Sequence, residues 1–176
     1  MRVHDIRALP RIGLKDLCYG RIRFRARQTA GHDEIAVVNL QPIITGARSA
    51  TLEGVSVYTS NSVDAVRADA IADAHSFAGN AATIAARLNA GGSIAVMPGI
   101  EVRSTGDLVA ETDWNLFADF GADAREGTLT LRSAGNLTIL GNISDGFSTA
   151  DRNGVLQDAA SWNLRLVSGA DLSSAS

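Results

Sequence analysis

The feature that most constrains this chain is a glycine followed by a short alternating strand, repeated through its second half. It occurs as Gly92-Ser-Ile-Ala-Val96, Gly99-Ile-Glu-Val102, Gly106-Asp-Leu-Val109, Gly127-Thr-Leu-Thr-Leu131, Gly135-Asn-Leu-Thr-Ile139 and Gly141-Asn-Ile143. Segments of about three to five residues bury too little apolar surface to stand alone, so they must stack on copies of themselves. The pattern predicts an all-β chain, a parallel β-helix in which successive coils share one thin aliphatic interior. Ile94, Leu108, Leu129 and Ile139 are the residues expected to line it. Gly106 and Gly127 lie 21 positions apart, a spacing that fits one coil of a repeat solenoid of about 20 residues or more.

Composition agrees with a narrow interior. Among 176 residues, 45% are hydrophobic but only 5% aromatic, so the core must be built from Ile, Leu, Val and Ala. The three prolines are expected outside the strands, because proline cannot donate to a ladder. Cys18 is the only cysteine, which rules out an intrachain disulfide. The first ten residues lack the apolar run of a signal peptide, and no stretch approaches the length of a membrane span.

The periodicity divides the chain into a poorly specified leader over 1–19 and a solenoid segment over 20–176. Strands are expected at Gly20–Ala26, Ile35–Leu40 and Ala50–Tyr58. The period then changes. Val63, Val66, Ala70, Ile71, Ala74 and Phe77 recur at helical spacing, with Asn61-Ser62 as the N-cap. Gly79 is expected to stop that helix and Asn80 to cap a second, the two forming a helical insertion over about 62–89 packed on the solenoid's side. Trp114 to Phe120 reads as a further strand, and Ser161 to Val167 as the last.

The net charge of −3 hides an asymmetry, since residues 1–27 hold 8 of the 16 Lys and Arg. Arg21, Arg23, Arg25 and Arg27 alternate with Ile22, Phe24 and Ala26, the period of a strand with one solvated face. Phe24 is the only aromatic interleaved with them and no recognition motif accompanies them, so no nucleic-acid partner is expected.

Several runs resemble the large filamentous-haemagglutinin-like exoproteins of Gram-negative bacteria, the two-partner-secretion type. These are Leu52-Glu-Gly-Val-Ser-Val-Tyr58, Met97-Pro-Gly-Ile-Glu-Val-Arg-Ser-Thr-Gly-Asp-Leu108, Thr112-Asp-Trp-Asn-Leu116, Leu129-Thr-Leu-Arg-Ser-Ala-Gly-Asn-Leu-Thr-Ile139 and Gly141-Asn-Ile-Ser-Asp-Gly-Phe147. Phe77-Ala-Gly-Asn80, Ser161-Trp-Asn-Leu-Arg-Leu166 and Ser168-Gly-Ala-Asp-Leu172 continue the similarity in order. The resemblance implies a right-handed parallel β-helix, a C-terminal-type segment of a longer secreted or cell-surface protein, and adhesion rather than catalysis. It implies as partners host or neighbouring-cell surface glycans or proteins, with an outer-membrane transporter for the parent. The chain carries no export signal of its own, and a truncated remnant of such a protein is a further reading.

The strongest enzyme-like set is acidic: Asp107, Glu111 and Asp113, with Asp119 and Asp123 beyond. If Glu111 and Asp113 lay two apart on one strand, their carboxylates would share a face, as in a β-helix carbohydrate-active enzyme with Arg103 or Arg132 as basic partner. Acids on a solenoid exterior more often only solvate it. His4, His32 and His75 have no partners at metal-binding spacing, and no Gly-x-Ser-x-Gly elbow or ordered Ser, His, Asp set appears. No catalytic, cofactor-binding or metal residue is therefore assigned, and no cofactor is expected. Trp114 and Trp162 are expected in the core. Asn136 and Asn142, which begin sequon-like triplets, are expected to stack with equivalent turn residues.

Overall fold

A computed structural model describes residues 20–37, 47–88, 94–121, 126–147, 154–156 and 160–173. The leader at 1–19, with His4 and Cys18, lies outside the described residues, as does the second half of the strand expected at Ile35–Leu40. The elements run β1 (Gly20–Arg27), β2 (Ala47–Thr59), a 3-10 turn (Asp64–Val66), α1 (Arg67–Arg87), β3 (Ile94–Ser104), β4 (Leu108–Ala110) and β5 (Trp114–Asn115). They continue with α2 (Leu116–Phe120), β6 (Thr128–Ser133), β7 (Leu137–Ile139), β8 (Ile143–Ser144) and β9 (Asn163–Val167).

The chain is mostly strand, and every ladder between these strands is parallel. Five strands form one sheet in the order β1-β2-β3-β6-β9, curled into a half-barrel. Two small sheets pair β4 with β7 and β5 with β8. Leu108 lies opposite Leu137, and Trp114 opposite Ile143. The side chains of Asp107 and Asn136 bond across an offset of 29 residues, as do those of Asp113 and Asn142. This corrects the 21-residue coil expected from glycine spacing. Gly106 aligns with Gly135, whose N–H donates to its carbonyl, because both precede a short strand after the same kind of turn.

Side-chain alternation sets the two faces of the large sheet. On one face Ile100, Leu129 and Leu164 stand in a row across β3, β6 and β9, and Val102, Leu131 and Leu166 in the next. Leu108 and Leu129 share a core cluster with Trp114, Phe120 and Trp162. Ile94 belongs to a second cluster, with Leu52, Phe77, Ile84 and Leu88, and Ile139 is exposed on β7. The expected common interior thus holds for two of the four named residues. Ile94 departs because α1, rather than another strand, covers its end of the sheet.

That helix is one element. Gly79 and Asn80 lie inside it, and no side chain caps its start. Asn61 and Val63 are instead occupied by strand-like pairing, since Val109 N–H donates to Asn61 O and Val63 N–H to Val109 O. Helix α1 also packs on the inner row of the sheet instead of beside it: Ala70 and Ala74 join the cluster of Ile100 and Leu129, and Phe77 and Ile84 that of Leu52. Gly54 permits this approach, because a Cβ there would fall within the Phe77 ring.

Three further expectations change. Residues 94–104 form one strand through Met97-Pro98-Gly99, so the Pro-Gly pair makes no turn. Proline is tolerated because β6 pairs with β3 only from Gly99 onward, leaving Pro98 a neighbour on one side alone. Trp114 and Asn115 form a two-residue strand, after which Asn115 accepts a hydrogen bond from Ala118 N–H and starts α2. Ile35 makes an isolated antiparallel bridge to Gln28, turning the chain back after β1.

Two glycines give opposite expectations. Gly54→Ala forces its methyl against the Phe77 ring and destabilises by about 1–3 kcal/mol, the usual cost of overpacking. At Gly79, nothing lies within 4 Å of an added Cβ in the helix, so Gly79→Ala stabilises by about 0.5–1 kcal/mol. Urea midpoints of the two variants check the pair.

Candidate functional site

The most unusual chemistry lies on the second face of the large sheet, where strand alternation lines up charged side chains that are buried. Glu53 on β2 and Glu101 on β3 are buried, with Arg132 on β6. Arg25 on β1 bridges the two acids, its Nε 3.2 Å from Glu53 and its Nη2 3.4 Å from Glu101. Arg132 reaches Glu101 at 3.5 Å and donates to Asp171 O at 3.0 Å. Gly99 makes room for this row, because Glu53 lies over it where any Cβ would collide.

Burial pushes the Glu53 carboxyl above the ordinary glutamate range, against the pull of Arg25 and Arg23. Among the described residues its Oε2 has no hydrogen-bond partner, and neither does the hydroxyl of Thr130 on the same face of β6. With both acids committed to arginines, the row serves strand register better than proton transfer. The expected solvated arginine face holds for Arg21, Arg23 and Arg27, which are exposed, whereas Arg25 turns into this row. A cavity of about 370 Å³ lies beside it, lined by Arg21, Arg23, Thr51, Met97, Glu126 and Asn163 among others. Among the described lining residues Glu126 is the one carboxylate, so no acid pair converges among them.

A second cluster joins the loop after β1 to α1. His32, a non-glycine residue at φ 53°, places Nδ1 2.9 Å from Ser56 Oγ and 3.2 Å from Asp73 Oδ2. Tyr58 donates its hydroxyl to the same Asp73 oxygen, and burial together with that bond raises the phenol's pKa. Ser56 donates its proton to Gln28 Oε1 at 2.6 Å. The hydrogen-bond network therefore assigns the Nδ1–H tautomer to His32, so the nitrogen that faces Ser56 carries a hydrogen and cannot take the serine proton. Serine, histidine and aspartate meet here without forming a nucleophile relay. No local pattern marks this meeting, which depends on long-range packing. The contacts of His32, Asp33 and Glu34 fall along one face of α1: Asp73, Asn80 and Arg87, two helical turns apart each time.

The acidic set suggested by sequence does not gather. Asp107 Oδ1 accepts from the backbone and side-chain amides of Asn136, and Asp113 Oδ1 from those of Asn142. These bonds stack one turn on the next, as expected for the two asparagines. Glu111 and Asp113 lie between β4 and β5, on no strand, and Asp123 is outside the described residues. The acid that organises this edge is Asp64. It accepts from Glu111 N–H at 2.7 Å, from Arg67 at 2.6 Å and from the Thr112 hydroxyl. Partial burial would raise its pKa, but these donors outweigh burial and hold it low. Asp119 contributes its carbonyl to His75 Nε2 at 2.8 Å. Arg103 is near Thr59, outside the buried row.

Both tryptophans are buried, as expected. Phe120 stacks on Trp162 with ring centroids 4.0 Å apart, and Arg67 lies 5.1 Å over Trp114. Among the described residues, no group of three or more His, Cys, Asp or Glu is placed to hold a metal ion. No described helix is long and apolar enough to cross a membrane. Compared with family models, curated proteins and solved structures, the chain matches none.

The buried row predicts a pH-dependent variant. A raised carboxyl pKa means that the folded chain holds its proton to higher pH than the unfolded chain does. The stability tied to that proton is present below the ordinary value of 4.5 and is lost as pH rises through the raised one. Arg25→Met removes the charge that opposes this loss. We expect it to destabilise by about 3–5 kcal/mol at pH 7, and by less at pH 4, where Glu53 is more readily protonated. Urea unfolding of both proteins at the two pH values checks the difference; an equal deficit at both contradicts it.

Proposed function

We propose that this chain is a stretch of right-handed parallel β-helix from a filamentous-haemagglutinin-like surface exoprotein, and that its work is structural and adhesive. The observation that carries this reading is the repetition of β3-β4-β5 by β6-β7-β8, each strand paired in parallel with its counterpart. Such stacking makes a stiff rod from backbone hydrogen bonds, with each coil burying the aliphatic side chains of the last. Right-handed coiling is the sense that parallel strand crossovers nearly always take.

Contact is made through extended surface. Candidate partners are glycans or proteins on host or neighbouring cells, met at the cell surface or after secretion, with an outer-membrane transporter exporting the parent chain. Weak single contacts gain strength when many copies or coils act together.

Beads densely coated with the folded chain test the reading. Adherence to epithelial and bacterial cells is expected to exceed that of beads coated with the heat-unfolded chain by about tenfold or more, the gain multivalency supplies. The same protein as a free monomer is expected to compete poorly. Equal adherence of folded and unfolded coatings contradicts the adhesive role.

A further inference from the structure

The cavity of about 370 Å³ beside the buried charge row is a shallow channel across the face of the large sheet. Its described lining starts at Arg21 and Arg23 on β1, crosses Thr51 on β2 and Met97 on β3, and ends at Glu126, just before β6, and Asn163 on β9. With strands about 4.8 Å apart, the sheet carries the channel roughly 19 Å along the direction in which its strands stack. Strands added beside β1 or β9 would prolong it, since neighbours join a sheet at its edges and leave its faces open.

The two ends of the channel differ in charge. Arg21 and Arg23 are exposed and form no ion pair with another described residue, whereas Arg25, next along the same face, is engaged by Glu53 and Glu101. Residues two apart on one strand face stand about 7 Å from each other, so the two guanidinium forks can converge on a single carboxylate. At the far end Glu126 is exposed, and Asn163 donates Nδ2 to Gly127 O at 3.2 Å, which leaves its Oδ1 as an acceptor. Between the ends Met97 supplies an apolar floor beside the Thr51 hydroxyl. A sugar ring has an apolar C–H face and a rim of hydroxyls, and this lining offers contacts to both.

We propose that the channel binds an acidic oligosaccharide in one orientation: a carboxylated sugar is held by Arg21 and Arg23, and neutral sugars lie over Met97 with their hydroxyls donating to Asn163 and Glu126. The carboxylate meets the arginines in charge-assisted hydrogen bonds, the strongest contacts the channel offers. A polymer charged at every unit fits less well, because it sets a carboxylate or phosphate against Glu126. The inference rests on the adhesive reading above and deepens it by naming the ligand class and its seat.

The probe is 3′-sialyllactose, one carboxylated sugar followed by two neutral ones, titrated into the isotope-labelled chain and followed by amide chemical shifts. Saturable shifts are expected at Arg21, Arg23, Thr51, Met97 and Asn163, with lactose binding at least about tenfold more weakly, the factor that a hydrogen bond to a charged group supplies. An Arg21→Gln, Arg23→Gln double variant, altered only at exposed positions, is expected to keep its circular dichroism spectrum and lose that preference. Arg27→Gln removes an exposed arginine of the same strand outside the described lining, and is expected to keep it. Tetragalacturonate, charged on every ring, is expected to bind the unaltered chain more weakly than sialyllactose does, and to draw level in Glu126→Gln. No saturable shift with sialyllactose, equal affinity for lactose, an equal loss in Arg27→Gln, or tighter binding of tetragalacturonate or of a singly charged acidic pentapeptide overturns the proposal. If the folded beads adhere and sialyllactose fails to bind, the adhesive reading stands and this site alone falls. If sialyllactose binds and the beads do not adhere, the channel is a sugar site and the adhesive role falls.

Discussion

Each short strand in this chain is held by a parallel counterpart 29 residues away in sequence, and the rest of the structure depends on that apposition. β4, β5, β7 and β8 have two or three residues each and could not persist alone. Placed opposite a counterpart, each satisfies its backbone and lets Leu108 or Trp114 be covered completely. Full burial of a side chain of that kind contributes about 1.5–3 kcal/mol, so a few such positions per repeat outweigh the weakness of the strands themselves. The Asp–Asn bonds at the two turns fix the same offset with polar groups.

The inner rows need cover where the small strands do not extend, and α1 provides it. Its small residues Ala70 and Ala74 allow close approach over β3, while Phe77 fills the space left by Gly54 on β2. Asp64 and Arg67 then tie the start of the helix to the chain between β4 and β5, through Glu111, Thr112 and Asp113. The clasp from His32 to Arg87 fixes its other side. Buried charge acts in the opposite face of the same sheet, where Arg25 and Arg132 neutralise Glu53 and Glu101. Misaligned strands would leave one of those acids buried without its cation, a cost of several kcal/mol that disfavours register slips.

Strand positions were legible wherever alternation was regular, as at Gly20–Ala26, Ala50–Tyr58 and Thr128–Leu131. The repeat offset was not, because Gly106 and Gly127 look equivalent in sequence although one precedes β4 and the other β6. The true correspondence, Gly106-Asp-Leu108 with Gly135-Asn-Leu137, is visible only once both are placed before the same small sheet. Helical periodicity located α1, yet Gly79 misled: an isolated glycine lowers helix propensity without ending a helix whose face is buried on both sides of it. The Arg25–Glu53–Glu101–Arg132 row was hidden for a simpler reason. Its members come from four strands, and nothing local marks an acid as buried. The serine–histidine–aspartate meeting at His32 is long-range in the same way.

The most direct test of the account is a nuclear Overhauser map of the isotope-labelled chain, which reports backbone neighbours across strands. Parallel stacking predicts interstrand amide and Hα cross-peaks joining Leu108 to Leu137, Ile100 to Leu129 and Leu129 to Leu164, with Gly106 beside Gly135. Antiparallel patterns among these residues, or Gly106 beside Gly127, would contradict the stacking on which the fold and the proposed function rest.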